Sequence, residues 1–354
     1  MNVATPERAA PPTNRRGRIL PLFAGLILIA AIGVFAWLRV GALDLPAVPA
    51  GVTLDSAGLA DLQQMKQLNA FIWSAPPSGS AANRPGGFSE AARLAQRGIA
   101  ACRQGEVVAG LDALRQGIRL DPNNLVLANA YRMVVFGLRR DFLAAARRQA
   151  QAAATFPPEL DHQPIAFFEA LDRAQGTRET KLHLALAWVD EMLLFPALEI
   201  KAPASVQAVD LLTQVIETGN PNYVPALYAR GLNYLHRPAR LVWPESTKTR
   251  PDAAARDIGR CVALGRRLKA GSPRLQATLA LSLGDAYVKA ARLNVARSWW
   301  QIAQNLCRDD DIQAAIHRRY GWQNEEILDR LEEELDRGRS ELDHPMTDLA
   351  LMWN

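Results

Sequence analysis

Histidine and cysteine are the side chains best able to ligate a metal or attack a carbonyl, and in this chain they are scattered. A metal site needs several His, Cys, Asp or Glu side chains converging at bonding distance, usually announced by pairs spaced to share one helical face. The five histidines, His162, His183, His236, His317 and His344, stand isolated in sequence. The three cysteines, Cys102, Cys261 and Cys307, form neither a CxxC nor a CxxCH pattern, which removes redox-motif and covalent-haem readings. Cys261 and Cys307 read as small buried residues on helices, with a bridge left open as the alternative. Asp309-Asp310-Asp311 lacks the alternating oxygen ligands of a calcium loop and reads as the solvated cap of the next helix.

Nucleophilic catalysis needs an activated Ser or Cys with a base in reach, and neither a GxSxG turn nor a recognisable Cys/His pair occurs. Pro85-Gly86-Gly87-Phe88 is not followed by the Lys-Ser or Lys-Thr that a phosphate-cradling loop requires. The chain is therefore expected to be no enzyme and to carry no metal and no cofactor. Its net charge of +5 comes from residues spread along helices rather than gathered in blocks, so nucleic acid is not an expected partner.

What the remaining residues must position is a matter of helices. Ile19 to Leu38 is an uncharged apolar run between Arg18 and Arg39, and about twenty such residues let a helix cross the hydrocarbon core. Residues 1–18 carry Arg8, Arg15, Arg16 and Arg18 against Glu7, which places the N-terminus in the cytoplasm. In a Gram-negative bacterium the expected location is the inner membrane, crossed once, with the rest of the chain in the periplasm. The competing reading is a signal peptide cut near Val40-Gly41-Ala42; the length of the run and the position of Arg39 weigh against it. Residues 39–89 read as a juxtamembrane segment and linker, with a helix expected from Ser56 to Phe71 and a Pro/Gly/Ser-rich stretch from Trp73 to Ser89.

From Glu90 the pattern is helical, in amphipathic segments parted by short turns. Leu283-Gly284-Asp285-Ala286-Tyr287 followed by Ala296, Trp300 and Ala303 reads as two helices folded together, small residues allowing close approach and rings filling the gaps. Tyr228, Gly231 and Tyr234 repeat the spacing, Leu94, Gly98 and Ala101 lie on the first helix of an earlier copy, and Leu120-Asp121-Pro122-Asn123 has the form of a repeat terminus, with Asp121 or Asn123 placed to cap the next helix. A second copy is expected over Leu125 to Pro157, with Arg132 where a small residue belongs. These segments resemble tetratricopeptide repeats, whose period is 34 residues. Gly231 and Gly284 are 53 residues apart, so the resemblance implies an insertion of 19 between the helices of one repeat, at about 236–252.

With the apolar run read as a single N-terminal transmembrane helix, the expected fold is all-α, and the resemblance implies a solenoid of helical hairpins over residues 90–324. Residues 325–354 read as an acidic capping helix and an apolar tail. It also implies a protein-binding role, because stacked hairpins form a concave face that receives a partner's peptide. The expected function is a membrane-anchored scaffold or assembly factor with an unidentified protein partner. A structural subunit of a secretion or polysaccharide-export complex is the alternative, and an enzyme hidden in the array a third. Candidate contacts lie outside the packing motif: Trp299, Arg237, Arg240 and Trp243 of the basic insertion, and Trp353 of the tail. The insertion reads equally as a tolerated surface excursion, and the tail as packing back onto the array.

Overall fold

The computed structural model describes residues 45–76, 87–148, 156–158, 160–161, 163–194, 198–237, 252–341 and 347–354. The apolar run Ile19–Leu38 with its basic flank, and Arg240 and Trp243 of the insertion, lie outside the described residues. Among the described residues every regular element is helical, and no helix is long and apolar enough to cross a membrane. In chain order the α-helices are α1 (Leu62–Trp73), α2 (Glu90–Arg103), α3 (Val107–Leu120), α4 (Leu125–Arg148), α5 (Gln163–Gln175), α6 (Arg178–Leu194), α7 (Leu198–Gln214), α8 (Val224–His236), α9 (Ala253–Leu268), α10 (Pro273–Lys289), α11 (Leu293–Leu306), α12 (Asp310–Tyr320) and α13 (Ile327–Glu341). A π-turn, Val215–Gly219, follows α7, and a 3₁₀ turn, Leu349–Met352, lies near the end of the chain.

Local chemistry sets the helix starts. Ser89 accepts from the Ala92 N–H at 3.2 Å, Ser272 from Leu275 at 3.2 Å with Pro273 opening the helix, and Asp309 from Ile312 at 3.3 Å. The start of α4 departs from expectation, because Asn124, rather than Asp121 or Asn123, accepts from the Val126 and Leu127 N–H groups. Nor does the described part of the segment expected to form a second hairpin, Leu125–Pro157, show the turn between two helices. It is a continuous 24-residue helix as far as Arg148, so Ala128, Tyr131 and Ala144 share one element. No proline or turn sequence interrupts it, and a lone Gly137 costs a helix only about 1 kcal/mol.

Close backbone approach makes the hairpins. A Cβ added at Gly284 of α10 would sit 2.4 Å from Trp300 Cδ1 and 3.0 Å from the Ala296 carbonyl of α11, so only glycine fits. Gly98 and Gly110 do the same for α2 and α3, each facing the other's carbonyl, and Gly231 brings α8 against Ile258 of α9. Leu94, Tyr228, Tyr287, Ala296, Trp300 and Ala303 are buried as the spacing requires, while Tyr234 and Pro122 are half-buried. A buried charge then ties the last hairpins together. Asp285 accepts from Trp300 Nε1 at 2.9 Å and from two nitrogens of Arg319 on α12 at 2.7 Å each.

The first helices of the pairs, α2, α4, α6, α8, α10 and α12, contact one another in succession, whereas contacts between consecutive second helices are sparse or absent. The array therefore bends with its first helices on the inner side. That inner side is covered by three pieces of the same chain: α1 lies on α2 and α4, α13 on α8 and α10, and the terminal 3₁₀ turn on α1, α4 and α10. The last helix is thus folded into the array, with Leu331 fully buried, rather than set across its end as a cap.

The segment expected to be juxtamembrane linker also belongs to the array over its described part. Ala57 accepts from the Val224 N–H at 3.0 Å, and Ser56 from the side chain of Asn220. The expected helix begins at Leu62, not Ser56, because Gly58 and Asp61 take left-handed backbone conformations, φ +67° and +56°. Trp73 ends α1, and Phe88 stacks on Phe71 at 4.1 Å, which ties both ends of the Pro/Gly/Ser-rich stretch to the helices.

Candidate functional site

The inner side carries a polar cluster that the packing motif does not account for. Arg132 stands at the place in α4 that glycine holds at Gly98, Gly231 and Gly284. A guanidinium there prevents the close approach of a second helix, and contact between α4 and α5 is slight, α5 packing instead on α6. Arg132 is fully buried, and three of its nitrogens are matched. Nε donates to His183 Nδ1 at 3.3 Å, Nη1 to Asp190 at 2.7 Å, and Nη2 to Asn129 Oδ1 at 3.0 Å and the Thr347 carbonyl at 2.8 Å. One turn-pair further along α4, Arg139 makes a second buried ion pair, to Glu191, at 2.6 and 3.2 Å.

These contacts hold a short peptide. Thr347 Oγ1 donates to Asp190, Asn129 Nδ2 donates to Asp348 at 2.7 Å, and the Leu349 N–H donates to Asn129 Oδ1 at 3.0 Å. Asp348 in turn caps the 3₁₀ turn by accepting from the Ala350 N–H at 2.9 Å. Leu349, Met352 and Trp353 are all buried in the core cluster. The site thus has a polar end that reads main-chain atoms and an apolar end between α1, α4 and α10.

Burial sets the charge states. His183 is held well below the ordinary histidine range, first because it is removed from water and second because Arg132 is beside it. It is neutral, accepts at Nδ1, and presents an Nε2–H that has no partner. Burial lifts the Asp190 carboxyl above the usual carboxylate range, while the charge of Arg132 and the Thr347 hydroxyl limit the rise. Among the described residues no group of three or more His, Cys, Asp or Glu side chains converges as a metal site. The three thiols are free; burial pushes Cys102 up to about 11 and raises Cys261 as well.

Of the residues expected to face a partner, the three that the structure describes are buried. Trp299 has no exposed surface and lies under the Arg266 guanidinium at 5.1 Å, because both tryptophans of α11 point into the array. Arg237 is buried as well, donating to Ser205 Oγ at 3.0 Å and lying over Tyr234 at 5.2 Å. Trp353 belongs to the peptide in the inner groove, so the tail packs back onto the array. Arg132, Asn129, His183 and Asp190, the residues that hold it, were not singled out as a site; the one signal was an arginine where its equivalents are glycine. Comparison with protein-family models, with curated proteins and with solved structures finds no match for this chain.

Proposed function

We propose that the protein is a membrane-anchored, tetratricopeptide-like adaptor that binds a protein partner on the periplasmic side of the inner membrane. One observation carries the reading: the inner face of the array already holds a peptide, Thr347–Trp353, through contacts to its carbonyl, N–H and short polar side chains. A face that recognises main-chain atoms at one end and buries apolar side chains at the other has the chemistry of a peptide-binding groove. The anchor and its orientation rest on the apolar run Ile19–Leu38 and the arginines before it. Fixing such a groove to a membrane raises its effective concentration near membrane-bound clients.

Crosslinking in native membranes, followed by mass spectrometry, tests the adaptor role. The expected result is a partner peptide joined to α1, α4 or α10; recovery of the chain uncrosslinked under all conditions would remove it. A periplasm-active reporter fused after Asn354 tests the orientation and is expected to be active.

A further inference from the structure

We propose that the outer face of α9 rests on the anionic phospholipid headgroups of the membrane in which the chain is anchored. The proposal builds on the anchored reading and names the surface that the array turns toward the bilayer.

This face is cationic along its length. Arg256, Arg266, Arg267 and Lys269 are exposed and Arg260 is half-buried. At about 100° per residue, Arg256, Arg260 and Arg267 fall within about 40° of one another on the helix. The acid within α9, Asp257, is buried in a pair with Arg230 at 2.7 Å and adds nothing to the outer face. Arg256 meets Asp252 only at 4.0 Å, with both side chains more than half exposed. Among the described residues, none of Arg260, Arg266, Arg267 and Lys269 has a carboxylate within ion-pair distance. Three of the four are held by neutral groups instead. Arg260 donates to Asn222 Oδ1 at 2.7 Å, Arg267 donates to the Val48 carbonyl, and Arg266 lies over the Trp299 ring at 5.1 Å. Such contacts fix the side chains and leave their charge uncompensated.

The chain leading from the apolar run is fastened to the same helix. A Cβ added at Gly259 would meet Pro46 Cδ at 3.4 Å and Leu45 Cδ2 at 3.8 Å, and Val48 accepts from Arg267. Residues 45–48 therefore run along α9 toward its C-terminus. Six residues separate Leu38, the end of the apolar run, from Leu45, and a fully extended tether of that length reaches about 25 Å at most. So short a tether gives α9 a high effective concentration of headgroups. Attraction between exposed charges fades beyond a Debye length, about 10 Å at 0.1 M salt, so the cations gain most when the face lies on the lipid itself. Guanidinium groups suit a phosphodiester, which they meet through two parallel N–H donors. Zwitterionic lipid carries the same phosphate but no net charge to balance the face.

The test uses the full chain reconstituted in nanodiscs, with a photoreactive side chain in place of Asp252, on the proposed face, or of Val108, which is 57% exposed on α3. With phosphatidylglycerol as about a third of the lipid, adducts at position 252 are expected to exceed those at 108 by about ten-fold. They should fall several-fold in phosphatidylcholine alone, and likewise at about 1 M salt, where the Debye length is about 3 Å. Combining Arg256→Gln, Arg267→Gln and Lys269→Gln should lower the yield to a similar degree. Equal adducts in the two lipids, equal adducts at the two positions, or an undiminished yield from the triple variant overturns the proposal. If the triple variant does not melt cooperatively, the lipid and salt series on the parent chain decides. In native membranes, crosslinking of position 252 to a protein rather than to lipid would give the face to a protein partner and also overturn it. A chain that resists alkaline extraction from membranes yet forms no lipid adduct at 252 keeps its anchor and loses this face. A chain that alkali extracts overturns the anchored reading itself, and this proposal with it.

Discussion

A guanidinium nitrogen of Arg132 lies 2.8 Å from the main-chain carbonyl of Thr347, 215 residues further along the chain. The contact joins the second first-layer helix of the array to the last residues of the chain. It also turns a departure from the repeat pattern into the centre of a site. Where Gly98, Gly231 and Gly284 admit a neighbouring helix, Arg132 admits a peptide, and its charge is balanced by Asp190 at 2.7 Å.

Removing that guanidinium leaves Asp190 buried without its counter-charge. Arg132→Met is expected to destabilise the fold by about 3–5 kcal/mol, the usual cost of breaking a buried pair from one side. Adding Asp190→Asn should recover part of the loss, because the orphaned charge goes with it. Urea unfolding of the two variants beside the parent chain measures both effects.

Two glycines on first-layer helices should respond in opposite directions to alanine. At Gly284 the new Cβ falls 2.4 Å from Trp300 and 3.0 Å from a carbonyl, so the helices must separate, at a cost of about 1–3 kcal/mol. At Gly137 nothing lies within 4 Å, and the helix gains about 0.5–1 kcal/mol from the lost flexibility of glycine. Thermal melts of Gly284→Ala and Gly137→Ala should move apart from the parent in these senses.

Trp299→Ala separates packing from recognition. With the indole fully buried, its loss is expected to cost about 3–5 kcal/mol of stability. Binding of a partner, measured at a temperature where the variant is still folded, should be unchanged. A variant of parental stability that failed to bind would return Trp299 to the surface role its sequence position implied.

Acid should weaken the fold through His183. The folded state keeps this imidazole neutral, while the unfolded chain protonates it near the ordinary value of about 6.5. The unfolded state therefore binds more protons, so this contribution is fully present above pH 6.5 and is lost as pH falls below it. The slope approaches about 1.4 kcal/mol per pH unit. Asp190, with its carboxyl raised, acts in the opposite sense, losing stability as pH rises above the unfolded value of about 3.9. Urea midpoints between pH 8 and 5 should fall for the parent chain and fall less for His183→Gln, which can still accept from Arg132.

Much of the fold was legible in the sequence because its causes are local. The helix cap at Asp309, and small residues opposite rings at Gly284 and Trp300, act within one hairpin and leave their mark at short spacing. The gap between α8, which ends at His236, and α9, which begins at Ala253, falls where the wide spacing of Gly231 and Gly284 led one to be expected. The second hairpin was misjudged because small residues on one long helix mimic small residues on two short ones. Nothing in a single strip of sequence separates the two patterns when no breaker intervenes.

The sequence by itself determined that the described part of this chain is helical and which small residues let its helices approach closely. Those choices follow from backbone sterics, capping and the 3.6-residue period, all of which act between neighbours. Only the tertiary structure decided which surfaces are free. Trp299 and Arg237 are inside, the stretch from Leu45 to Trp73 lies on the array, and Arg132 meets His183, Asp190 and Thr347 across 51, 58 and 215 residues. Burial and charge balance depend on what the rest of the chain brings alongside a residue, so these assignments appear only once the array has curved and its last segment has entered the groove.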